Sequence, residues 1–292
     1  MHILGILFAL GAGLFFGIIG PLTKLSYNLG VGVGLAIFLR YVIATILIIP
    51  AIPFQKNLFK IYKTNLFYFL SITFGSILLT TGLLLSVNYI NVSLAILIFY
   101  TNPILVLLIS IIIDKEKISH SVKILFISTF IGLFFVLGPS FNNLNTLGVL
   151  FALMASIGAT LMIVINQKMV KKSISPLHIN IFINLFNTIF FSIILFFFFS
   201  INFSITNLTF LIILIPSFSY AIALFFQLLA IPKIGQSSTA LFLYSEPTVA
   251  IIFAIFLLKE NLDTYQIFGA IIVLSSLALA TYLTERSKNV VA

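Results

Sequence analysis

The sequence predicts an all-α integral membrane protein of ten transmembrane helices, arranged as two inverted five-helix repeats around a central cavity. Three observations predict it. First, the 292 residues are 61% hydrophobic and only 7% charged; a soluble core of this length cannot hide so much apolar surface, whereas a multi-span membrane protein need not. Second, ten apolar runs are each long enough to cross a hydrocarbon layer of ~30 Å at about 1.5 Å per residue. Third, one stretch occurs twice. Residues Ile90, Ser93, Leu97, Tyr100, Pro103, Ile111, Lys115 and Glu116 recur as Ile234, Ser237, Leu241, Tyr244, Pro247, Ile255, Lys259 and Glu260, at an offset of 144.

The runs cover approximately 4–24, 34–53, 66–87, 92–113, 120–138, 146–166, 177–199, 209–230, 237–258 and 265–284, with short connections. The first has only His2 in place of the basic segment of a signal peptide. Its GILFAL (5–10) returns as GVLFAL (148–153) in the sixth run, so it is a retained span. The repeat offset is 143 at the first run of each half and 144 at the fourth. Each half therefore contains five spans, and because five is odd the second half enters the membrane from the opposite side. The polar, charge-free loop Pro139–Asn145 divides residues 1–138 from 146–284, and residues 285–292 form a polar tail. Asn145 reads as a cap of the sixth span, and Asp263 with Gln266 as a capping box before the tenth.

Lysine placement orients the chain. With the N-terminus in the cytoplasm, the inner segments hold Lys56, Lys60, Lys63, Lys115, Lys117, Lys123, Lys168, Lys171, Lys172, Lys233, Arg286 and Lys288, and the outer ones hold Lys24 and Lys259. This asymmetry puts both termini on the cytoplasmic side of a bacterial plasma membrane. The net charge of +9 is thereby accounted for without nucleic acid.

The repeated stretch carries the first functional candidates. Pro103 and Pro247 each remove an N–H from the middle of a span, so the carbonyls of Phe99 and Leu243 lose their helical partners. In hydrocarbon such groups must be satisfied by protein, water or solute, and broken helices at matching places in two repeats point to a transport site. Glu246 is the sole acid inside a span, ~14 Å deep at helical rise. It is suited to carry a proton or to meet a cationic solute group, or alternatively to cap donors near Pro247 or pair with Arg40. Arg40, ~9 Å into the second span, can bind an anionic group, snorkel outwards or neutralise Glu246. Asn102 takes the place of Glu246 in the first repeat, and Tyr100 matches Tyr244. These amide and phenol groups can bind solutes or join helices. Tyr220, Gln227 and Asn166 are further cavity candidates, while Asn184 and Asn187 share a face suited to helix contact. Gly13 and Gly17 form a small-xxx-small pair for close helix approach.

Other chemistry finds no support. The chain has no cysteine, and none of His2, His120 and His178 has a second ligand at helical spacing, so neither a thiolate nor a zinc site is expected. No Gly-rich loop ends in Gly-Lys-Ser/Thr. No metal or cofactor is implied, and catalysis is eliminated for want of a nucleophile with a base.

LRYVIA around Arg40, YTNPILVLLISIIIDKEKI, LYSEPTVAIIFAIFLLKENL and QIFGAIIVL together resemble the drug/metabolite transporter superfamily, in particular its EamA-like branch, over essentially the whole chain. The resemblance implies a basket-like bundle whose cavity is lined by spans 1, 3, 4, 6, 8 and 9, with spans 5 and 10 peripheral. It also implies ATP-independent export of amino acids or related metabolites, by alternating access about the two prolines. The partners are then a small-molecule substrate, the lipid bilayer and, through Glu246, protons. A flippase for lipid-linked substrates, or a scaffold subunit of the same fold, is the alternative, and would show a polar groove open to lipid.

Overall fold

The computed structural model describes residues 2–55, 57–112, 120–137, 145–198, 207–235, 239, 242–243 and 245–291. The helices are α1 (His2–Gly17), α2 (Ile19–Asn28), α3 (Val33–Ile48), α4 (Leu58–Thr64), α5 (Leu66–Tyr89), α6 (Val92–Phe99), α7 (Asn102–Ile112), α8 (His120–Leu137), α9 (Thr146–Lys171), α10 (Pro176–Phe198), α11 (Asn207–Ile234), α12 (Ser245–Leu258) and α13 (Thr264–Val291). There is no strand among the described residues. Among the described residues six segments are long and apolar enough to cross a membrane: Ile3–Asn28, Val33–Phe54, Leu66–Tyr89, Thr146–Lys171, Pro176–Phe197 and Thr209–Ile234. Val92–Val106, Ser245–Leu258 and Thr264–Ser276 are shorter apolar helices.

Prolines set the irregularities. The first span breaks at Ile18, because Pro21 cannot donate to the carbonyl of Gly17. The second ends in a 3-10 turn, Ile49–Phe54, that contains Pro50 and Pro53. The fourth is interrupted at Tyr100–Thr101, so the break falls ahead of its proline. Pro103 instead occupies the first turn of α7, and Pro247 the first turn of α12. A missing N–H costs nothing there, since the first-turn donors have no helical acceptor. The predicted caps form. Asn145 Oδ1 accepts from Leu147 N–H (3.0 Å) and Gly148 N–H (3.3 Å), and Gln266 Oε1 accepts from Asp263 N–H (3.0 Å). Helix α13 runs on through the polar end that the sequence set apart as a tail.

Lipid gives helices no hydrophobic reason to associate, so small residues decide where they meet. Helix α5 lies antiparallel on α9. A Cβ on Gly158 would stand 2.6 Å from the Gly75 carbonyl oxygen, and one on Gly82 would stand 2.6 Å from the Phe151 carbonyl oxygen. Ser86 closes the seam by donating to the Gly148 carbonyl (2.8 Å). Helix α1 likewise lies antiparallel on α11, with Gly5 against Ile234 and Gly11 against the Phe226 ring. Helix α3 packs on α10, and α8 on α13.

At one end of the molecule Glu260 closes a junction between these elements. Its carboxylate accepts from Val92 N–H (2.6 Å), Ser93 N–H (3.1 Å) and the Ser93 hydroxyl (2.7 Å), capping α6. Lys24 Nζ donates to the Asn88 carbonyl nearby (3.2 Å). Lys115 and Glu116, the repeat counterparts of Lys259 and Glu260, lie outside the described residues.

Candidate functional site

The interruption between α6 and α7 leaves the Phe99 carbonyl without a backbone donor, and Asn102 Nδ2 fills the gap at 3.0 Å. The Thr101 hydroxyl donates to the Ile98 carbonyl (2.8 Å) and shares a second hydrogen bond with Ser156 of α9 (2.8 Å). Thr160, one turn further on α9, reaches the Asn102 carbonyl (3.4 Å). Asn102 is buried, and it serves as a satisfied helix cap.

The corresponding place at the start of α12 is built differently. The Ser245 hydroxyl donates to the Phe242 carbonyl (2.9 Å), as Thr101 does to Ile98. Glu246, however, stands where Asn102 stood, and an ionised carboxylate has no hydrogen to give the Leu243 carbonyl. Gly13 and Gly17 likewise stand where Ser156 and Thr160 stood, at an offset of 143. Gly13 presses on the Ser245 side chain, and a Cβ on Gly17 would come 2.7 Å from the Glu246 carbonyl oxygen. Their close-contact role is the one expected. Among the described residues, Gly13 and Gly17 offer no hydroxyl and Glu246 no amide where Ser156, Thr160 and Asn102 stand in the first repeat.

Around this break a polar cluster assembles from five elements. The Tyr100 hydroxyl hydrogen-bonds the Glu246 carboxyl, and the Arg40 charge acts on the same carboxyl. Arg40 is 5% exposed. Its guanidinium lies over the Tyr220 ring, 4.9 Å from the centroid, an arrangement worth up to about 2 kcal/mol when desolvated. Arg40 therefore does not snorkel outwards, which corrects one of its three expected roles; among the described residues no ion pair joins it to Glu246, although its charge acts on that carboxyl. Tyr27, at the end of α2, lies in electrostatic range of Arg40, and its hydroxyl is buried without a hydrogen-bond partner. Tyr41 lies edge-on to Tyr220, ring centroids 5.8 Å apart, and shares a hydrogen bond with Thr80 at 2.7 Å.

Arg40, Tyr100, Tyr220 and Glu246 thus meet as the sequence suggested. Gln227 and Asn166 are half-buried, and no hydrogen bond joins them to the cluster among the described residues. Tyr244 lies outside the described residues. Asn187 Nδ2 donates to the Ser76 hydroxyl, and Asn184 Nδ2 to the Asn180 carbonyl (2.8 Å), both joining or stiffening helices. Tyr27 escaped sequence reading, because a tyrosine near a span end reads as an interfacial anchor. Ser156 and Thr160 were legible as the images of Gly13 and Gly17.

A crevice of about 290 Å³ opens between α3 and α11, lined by Ala44, Leu47, Ile48, Ala221, Ile222, Leu224, Phe225 and Leu228. Its walls are apolar, unlike the polar lateral groove that a flippase would require.

Apolar helices too many and too long for a soluble core, wrapped about buried charged groups, define a multi-pass membrane protein. The chain belongs to the EamA-like transporter family, whose model matches residues 3–138 and 146–282. It is 26% identical, over 255 residues, to the S-adenosylmethionine uptake transporter of Rickettsia prowazekii (strain Madrid E), covering 86% of this chain and 84% of the relative. A crystal structure 14% identical to this chain shares the fold, with a TM-score of 0.65 over 95% of this chain and 98% of that one.

Proposed function

We propose that this chain is a secondary carrier of the bacterial plasma membrane, moving small polar metabolites of the amino-acid type, without ATP, by alternating access through a central cavity. The observation that carries this reading is the unequal chemistry of two repeat-related places: the break before α7 is closed by Asn102, Ser156 and Thr160, whereas the start of α12 holds Glu246 against Gly13 and Gly17. An acid held inside a span calls for further polar company, and solute or water supplies it.

Ten spans in two inverted halves, with both termini cytoplasmic, are part of the proposal. Its support is a set of contacts that map onto each other at the repeat offset. Gly5 meets Ile234 as Gly148 meets Ile90, each with a Cβ-to-Cγ2 approach of 2.6 Å. Thr45 touches Thr188, its own counterpart at an offset of 143, at 2.8 Å. A pseudo-two-fold axis requires such self-paired contacts. Rocking of the half-helices about the starts of α7 and α12, at Pro103 and Pro247, then exposes the cluster to each side in turn, and Glu246 carries the coupled proton. S-adenosylmethionine, named for the Rickettsia relative, bears an amino-acid head and joins the amino acids as a candidate solute. Net direction follows the gradients, as for any carrier without an energy source of its own.

Exchange of radiolabelled amino acids and S-adenosylmethionine by proteoliposomes tests the reading. The intact protein is expected to exchange at least one solute and to respond to an imposed pH gradient. In Glu246→Gln the gradient response is lost, while a slower exchange remains measurable. Gradient dependence surviving in that variant removes Glu246 as the proton carrier, and unaltered rates in Pro103→Ala with Pro247→Ala remove the hinges.

A further inference from the structure

We infer that Arg40 and Tyr27 form the seat for the carboxylate of a dipolar solute, whose cationic end faces Glu246 and Tyr100. The inference rests on the carrier reading and adds to it the residues that hold each pole of a net-neutral zwitterion.

The Arg40 side chain is 5% exposed, and among the described residues its guanidinium has neither a carboxylate nor a hydrogen-bond acceptor. The Tyr220 ring covers one face of that plane. A guanidinium carries five N–H donors around its edges, and a ring on its face satisfies none of them. A buried cation so placed in a bilayer demands an anion. Tyr27 adds a buried hydroxyl without a partner, in electrostatic range of the same guanidinium. A carboxylate is the ligand that answers both, accepting two parallel N–H bonds from arginine and a further one from a phenol.

Glu246 decides what else the solute must carry. It lies close enough to feel the Arg40 charge, yet no ion pair joins the two among the described residues, so the opposite charges stand apart. The Tyr100 hydroxyl stands on the Glu246 side. With one positive and one negative pole, the site is neutral as a whole. A doubly charged phosphate is repelled by Glu246, a bare amine leaves Arg40 buried and uncompensated, and a sugar compensates neither. A zwitterion answers both poles at once and crosses the low-dielectric centre with no net charge. Residues from both halves contribute, Tyr27, Arg40 and Tyr100 from the first and Tyr220 and Glu246 from the second, so rocking of the halves takes the seat apart and releases the solute.

The full chain in proteoliposomes tests this with methionine, leucine and phenylalanine, each against its decarboxylated amine. The intact protein is expected to prefer the carboxylate-bearing partner by about tenfold or more, since a site built to bond a polar group rejects analogues that lack it. Arg40→Gln should bring that ratio close to one by slowing the zwitterion and sparing the amine, and Arg40→Lys should recover part of it. Tyr27→Phe removes one oxygen and should lower the same ratio several-fold, giving a second reading where Arg40→Gln fails to fold. An unchanged ratio in both Arg40→Gln and Tyr27→Phe, or a preference of the intact protein for the amines, overturns the seat. Exchange of nucleosides or sugars with no zwitterion exchanged overturns it too, and leaves the carrier standing. Absence of exchange for every solute overturns the carrier and the seat together.

Discussion

Asn102 illustrates how one residue type settles what a backbone break becomes. Its amide donates to the carbonyl that Pro103 leaves free, and a buried acceptor stripped of its donor costs about 1–3 kcal/mol. Asn102→Leu, similar in bulk but unable to donate, is expected to lower stability by about that amount, read as a shifted midpoint in denaturation of the detergent-solubilised protein. A midpoint that does not move would show that the amide contributes nothing to closing the break. The sequence displayed the Asn102–Glu246 substitution plainly, and chemistry says that an amide can cap a carbonyl where a carboxylate cannot. It was silent on Tyr27, because a tyrosine near a span end carries no sign of which neighbouring span its hydroxyl meets.

At the level of helices, the α5–α9 seam depends on the absence of side chains. Gly75 and Gly158 face each other so closely that a Cβ on Gly158 would stand 2.6 Å from the Gly75 carbonyl oxygen, and backbone on both sides cannot yield as a side chain would. Gly158→Val should therefore force the helices apart, at a cost of about 1–3 kcal/mol or more. Gly32→Ala, where an added Cβ meets nothing within 4 Å, should be close to neutral. Equal midpoints for the two variants would refute a seam set by glycine. The helices themselves were legible in the sequence, since apolar length and proline placement are local properties. Their partners were not, because a bilayer makes nearly every helix face apolar and so removes the polar stripe that tells a helix which side is buried.

For the molecule as a whole, the proposed axis between the halves makes a geometric prediction. Thr45 and Thr188 are repeat counterparts, and their hydroxyls lie 2.8 Å apart. Because the chain has no cysteine, Thr45→Cys with Thr188→Cys supplies the sole thiol pair. Mild oxidation should then join α3 to α10 within one chain, seen as a mobility shift reversed by reductant and absent from either single variant. Failure to cross-link, or links only between chains, would contradict an axis passing between these helices. Composition and the repeat offset determined, from sequence alone, that the chain is membrane-embedded, that its core motif is duplicated and that its fourth and ninth runs each carry a proline, because these are properties of residues taken along a line. Tertiary structure decided that the fourth run breaks ahead of its proline, that Asn102 closes that break, and that, among the described residues, Arg40 stands buried over Tyr220 without a carboxylate. Those facts depend on which helices touch and at what depth, and small-residue contacts between elements far apart in the chain set both.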